Sequence, residues 1–139
     1  FGLPATVVLA FCAVSLVSLR HYYSVPKQPF RESIQYIEAE RQPGDIIIAV
    51  FLAEGGYRFY GPQYHLEEGK DYFPVRSVEA LDAVLASHPG ARTFVVTTFS
   101  RALRLAYPDL DARIARDWSR SRTFPATVGD GEVTIWTQR

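Results

Sequence analysis

The first nineteen residues of this chain, Phe1 to Leu19, carry no charged side chain, and Thr6, Ser15 and Ser18 supply their only hydroxyls. As an α-helix rising about 1.5 Å per residue, such a run reaches roughly 28 Å, close to the about 30 Å hydrocarbon core of a bilayer. Gly2 and Pro4 would disturb the middle of a soluble helix, but both are tolerated in or near the end of a membrane one. The run predicts a transmembrane helix. A buried core helix is the alternative, although such helices rarely run this far without one charge.

The chain contains no Met and begins with Phe1. It is therefore expected to be a processed protein or, in preference, a piece of a longer one whose last membrane helix this is. A signal peptide would place a charged region ahead of its apolar core, and here the core begins at the first residue.

The character changes at "LRHYYSVPKQPFRESIQYI", residues 19–37. Tyr22 and Tyr23 can lie among lipid headgroups with their hydroxyls wet, while Arg20 snorkels beside them. The expected division is a transmembrane helix and interfacial belt over 1–23, a linker over 24–29 and a soluble α/β domain over 30–139. The same aromatics can instead cap the core of that domain. Arg20 and Lys27 count toward a cytoplasmic side, yet a large domain crosses largely regardless of such charges. Sidedness stays open on this reading.

From Phe30 onward the patterns alternate. Pro29 suits a helix start, and Phe30, Ile34 and Ile37 follow at helical spacing before Pro43-Gly44. "DIIIAVFLA", 45–53, is a nearly unbroken apolar run, as a strand covered on both faces requires. "EGGYRFYG" reads as a short aromatic turn or helix, and "DYFPV" as a weak strand. Ser77 can cap a helix whose buried stripe is Val78, Leu81, Val84 and Leu85. "RTFVVTTF", 92–99, is the second strong strand. Short helices from Ser100 to Tyr107 and from Pro108 through Ile114 come next. Trp118–Phe124 and Glu132–Thr137 close the chain as a hairpin through Gly129-Asp130-Gly131. The predicted fold is a small, mostly parallel sheet flanked by helices, with an antiparallel C-terminal hairpin.

Composition narrows the function. Hydrophobic residues make up 47% of the chain, enough for a packed core, and Lys plus Arg equals Asp plus Glu at 15 each. From Phe30 onward 13 basic residues face 15 acidic ones, so no nucleic-acid partner is implied. The single Cys12 lies in the apolar run and allows no intrachain disulfide. His21, His65 and His88 share no metal-ligand spacing. Gly55-Gly56, with Gly61 five residues on, matches neither a dinucleotide loop nor a P-loop and reads as a tight turn. There is no Gly-x-Ser-x-Gly. Thr97 and Thr98 read as strand residues, and Glu67-Glu68 as a solvated pair. The densest unusual patch is Tyr57, Arg58, Phe59, Tyr60, Tyr64 and His65. Of these, Tyr57, Arg58, Tyr60 and His65 are candidates for contact with substrate or membrane, because aromatics stack on sugars and arginine pairs with phosphate. The rival reading buries Tyr57 and Phe59 in the core and leaves Arg58 a solvated charge.

A membrane helix running into "YYSVPKQPFRESIQYI", then "PGDIIIAV", the aromatic "YRFYG" and a closing "RTFPATVGDGEVTIWTQ" resembles the C-terminal end of bacterial polytopic glycosyltransferases of the GT-C class. These are the protein-mannosyltransferase-like or dolichyl-phosphate-mannose-type enzymes. The resemblance implies a multi-pass parent in the bacterial inner membrane that transfers a sugar from a polyprenyl-phosphate donor. It places the α/β domain on the periplasmic or extracellular side, accessory to the active site. The implied partners are membrane lipid, a lipid-linked sugar and the rest of the parent membrane domain. The class keeps its catalytic carboxylate in an early external loop, so no catalytic residue is carried over here. No cofactor is implied for these residues, and a divalent metal in the parent stays open. A membrane-tethered ligand-binding or sensor module and a purely structural assembly domain are the alternatives.

Overall fold

A computed structural model describes the backbone of residues 3–24, 28–127 and 129–138, and within the first helix the side chains of 5–20. The run Ile46–Val50 forms strand β1, every residue of which is buried. Its position explains that. Strand β2 (Tyr72–Val75) pairs parallel on one side, Ile47 opposite Tyr72, and β3 (Thr93–Thr98) pairs parallel on the other, Ile46 opposite Thr93. β4 (Trp118–Phe124) and β5 (Val133–Gln138) form the antiparallel hairpin, and β5 pairs antiparallel with β3. The five-stranded order is β2-β1-β3-β5-β4. The mostly parallel α/β architecture with its closing hairpin is as the sequence predicts.

Alternate residues of β1 and β3 point to opposite faces, so two cores form. On one face Ile47, Ala49, Phe94 and Val96 meet helix α2 (Phe30–Glu40) and helix α3 (Ala53–Tyr60) through Phe30, Ile34, Ile37 and Tyr57. On the other, Ile48, Val50 and Val95 meet α4 (Val78–Ser87), α5 (Ser100–Ala106) and α6 (Pro108–Asp117) through Leu81, Leu103, Leu110 and Ile114. Ser77 caps α4, its hydroxyl accepting from the Ala80 amide at 3.1 Å. Within the expected stripe of α4 only Leu81 is fully buried; Val78, Val84 and Leu85 are half-buried.

Some details differ from expectation. β1 ends at Val50 rather than Ala53, because Phe51 takes a left-handed backbone (φ 53°) that breaks the strand. Gly55-Gly56 are not a turn but lie inside α3. α6 continues past Ile114 to Asp117, with Arg113 ion-paired to both Asp82 and Asp117.

Helix α1 spans Leu3–Ser24 and so runs past Leu19. Among the described residues no helix is long and apolar enough to cross a membrane. The described side chains, 5–20, cover about 24 Å at about 1.5 Å per residue. The expected span thus extends past them, and the side chains of Tyr22 and Tyr23 and linker residues 25–27 lie outside the described residues.

Candidate functional site

β1 and β3 are neighbours whose following helices leave to opposite faces, α3 to one and α5 to the other. Their carboxyl ends are therefore a topological switch point, the place where open α/β sheets gather ligands. The backbone is strained at both ends: Phe51 (φ 53°) and Phe99 (φ 50°) each follow a strand in the left-handed region, which bulky residues rarely enter. Hydrogen bonds hold both turns. The Phe51 amide donates to the Val75 carbonyl at 2.9 Å, and the Phe99 amide to the Asp130 carbonyl at 3.0 Å. The Phe51 ring packs on Tyr107 with centroids 5.1 Å apart.

Beside Phe51 lies a buried carboxylate. Glu54, in the first turn of α3, is 8% exposed. Arg76, just past β2, reaches it through Nε at 3.0 Å and Nη2 at 2.9 Å, and Arg58 reaches its other oxygen at 2.9 Å. Arg58 also donates twice to Glu68, each at 3.1 Å, and the Tyr72 hydroxyl donates to Glu68 at 3.3 Å. The Glu68 hydrogen bonds hold the Arg58 pKa above its usual value, and Arg58 holds the Glu68 carboxyl below the usual carboxylate range. Burial first, then Glu68, raises the Tyr72 phenol. The chain Arg76–Glu54–Arg58–Glu68–Tyr72 ties α3 to both ends of β2. Its two arginines balance its two carboxylates, and the contacts brace the helix against the strand.

The predicted residues separate. Tyr57 is fully buried, with its hydroxyl unpaired, and offers no face to a ligand. Burial raises its pKa, opposed by Ser33. Arg58 is exposed and ion-paired to both Glu54 and Glu68. Tyr60 is half-buried and stacks on Phe30 with centroids 6.4 Å apart. Phe59, expected in the core on one reading, is 70% exposed and stands edge-on to Tyr60. His65 is exposed in a left-handed turn (φ 58°) after the 3-10 turn Gly61–Tyr64. Arg20 is exposed on α1. Glu68 is not merely solvated, since it anchors Arg58; Glu67 is exposed and pairs with Lys70 at 3.4 Å.

Sequence reasoning missed Glu54 and Arg76. A signal existed for one pair, because Glu54 and Arg58 have the i, i+4 spacing, acid first, that favours an ion pair on a helix. Arg76 joins them only through the parallel pairing of β1 and β2.

A groove of about 520 Å³ opens at the opposite, amino edge of the sheet between Arg41, Asp45, Asp71 and His88. Arg41 occupies its wall, 2.6 Å from Glu38 and 3.4 Å from Asp71. A hydroxyl–imidazole pair, Ser87 with His88 at 3.0 Å, closes the end of α4, both side chains also meeting the Val84 carbonyl. Among the described residues no group of three or more His, Cys, Asp or Glu could hold a metal ion. Compared with known families, curated proteins and solved structures, the chain matches none of them.

Proposed function

We propose that this chain is the last membrane helix and extracytoplasmic α/β domain of a polytopic bacterial inner-membrane glycosyltransferase that uses a polyprenyl-phosphate sugar donor. The observation that carries the membrane part is the surface of α1. Val7, Val8, Leu9, Phe11, Val14, Leu16, Val17 and Leu19 are each between 47% and 71% exposed. At about 100° per residue these positions cover the whole circumference of the helix. A helix whose described side chains are apolar and exposed all round fits a bilayer, where each such side chain avoids roughly 1.5–3 kcal/mol of exposure to water. The transferase part is supported by the family resemblance of the seam, the first strand and the closing hairpin.

In this reading the α/β domain is accessory and carries no catalytic residue. The faces of Phe59 and Tyr60 are its open aromatic surface beside α2. Arg58 meets Glu54 and Glu68 through its Nε and Nη2, so both carboxylates compete with a lipid phosphate for its charge. That self-satisfied brace favours a second reading, a membrane-tethered assembly domain without a ligand.

Two measurements test the proposal. Carbonate extraction of membranes from cells expressing the chain should leave it in the pellet; release to the supernatant refutes the anchor. Removing residues 30–139 from the parent should reduce sugar transfer from a polyprenyl-phosphate donor, and unchanged transfer would support the assembly reading.

A further inference from the structure

We infer that the aromatic surface made by the start of α2, the end of α3 and the 3-10 turn Gly61–Tyr64 rests in the interfacial layer of the bilayer that receives α1. The inference deepens the membrane-anchor reading above and rests on it.

Direct contacts place these residues on one surface. Phe59, 70% exposed, stands edge-on to Tyr60 with ring centroids 4.9 Å apart, and Tyr60 stacks on Phe30 at 6.4 Å. Arg31, next to Phe30, donates to the Gln63 side chain at 3.4 Å. One turn further along α2, the side-chain amide of Gln35 donates to the Tyr64 hydroxyl at 3.2 Å. Pro62 and Gln63 are exposed in the turn itself, and Tyr60 and Tyr64 are half-buried. Phenylalanine can bury its ring at the boundary of headgroups and acyl chains, while tyrosine keeps its hydroxyl wet at that level. Arg31 and Glu32 are both exposed at the rim and offset one another, so the rings rather than net charge carry the contact.

The tether decides what covers this patch. Phe30, on which Tyr60 stacks, is also the first residue of α2 after the membrane helix. Six Cα steps separate Ser24 from Phe30, and at most about 3.3–3.6 Å per residue keeps the two within roughly 20 Å. A bilayer that holds α1 therefore lies within that reach of the rings. Helices α4, α5 and α6 pack on the opposite face of the sheet. Leu105 of α5 is 80% exposed, more than Phe59, yet its helix belongs to that far face and sees water in this orientation.

The test uses the full chain with Cys12→Ser, reconstituted into phosphatidylethanolamine–phosphatidylglycerol liposomes. Single nitroxide-labelled cysteines replace Phe59 or Gln63 in the patch, Val14 on α1 or Leu105 on α5. Collision with oxygen should dominate over collision with a soluble nickel chelate at 14, 59 and 63, and the reverse should hold at 105. A lipid-like label at 14 with a water-like label at 59 or 63 overturns this inference and leaves the anchor standing. Labels at 59 and 63 shielded from both reagents mark a protein contact, a second copy of the chain included, and overturn it too. A water-like label at 14 removes the anchor reading and this inference with it. A lipid-like label at 105 overturns the proposed orientation.

Discussion

Gly56 lies against the ring of Phe30: a Cβ at this position would fall 2.4 Å from three of the ring's carbons. Phe30 is itself 2% exposed and wedged between α2 and α3, so it has little room to yield. Gly55, one residue earlier, has nothing within 4 Å of the same position. Gly56→Ala should therefore destabilise the domain by about 1–3 kcal/mol through overpacking. Gly55→Ala should stabilise it by about 0.4–1 kcal/mol by restricting the unfolded chain. Denaturant melts of the two variants decide this, and equal effects would contradict it.

Tyr57 carries a buried hydroxyl that makes no hydrogen bond of normal geometry, while the Ser33 hydroxyl donates to the Phe30 carbonyl. Tyr57→Phe should be neutral or modestly stabilising, since an unsatisfied buried polar group costs about 1–3 kcal/mol. Tyr57→Ala should cost about 3–5 kcal/mol by opening a core cavity. Burial raises the phenol above its ordinary 10.0, so its contribution is complete below that pH and is lost as pH rises toward the folded value. Alkaline titration should show a shallower loss in Tyr57→Phe than in the parent chain.

The Arg58–Glu68 pair gives an acid signature of the opposite sense. Arg58 depresses the Glu68 pKa below its ordinary 4.5, so the stability it brings is present above that value and fades as pH falls through the folded one. Glu68→Gln should lower the melting temperature slightly at neutral pH, and the gap to the parent chain should close in acid. A gap that stays constant down to strong acid would remove the pair from the stability of the domain.

Ser77 is the side-chain cap of α4. Ser77→Ala should cost about 0.5–2 kcal/mol, whereas Ser77→Asp should keep most of the stability. Thermal melts of both variants check the cap, and equal losses would assign the effect to packing.

Much of the fold was legible because its signals are local. Ile46–Val50 announces a strand buried on both faces, and Phe30, Ile34 and Ile37 announce one helix face, since periodicity follows from backbone geometry alone. Ser77 was legible as a cap for the same reason. The Gly55-Gly56 pair was misread because nothing local shows that a neighbouring helix will bring Phe30 against one of them. The end of β1 was misplaced because the left-handed Phe51 is held by the carbonyl of Val75, twenty-four residues away.

The alternating strands and helices, the hairpin and an apolar first helix could be read from the residues alone, since each depends on near neighbours along the chain. Tertiary structure alone decided the candidate site. It turned Tyr57 inward and Phe59 outward, and it brought Arg76 to Glu54 across 22 residues of chain. The reason is physical: a parallel strand pair requires a crossover, and side chains at its two carboxyl ends become neighbours only after that crossover has packed.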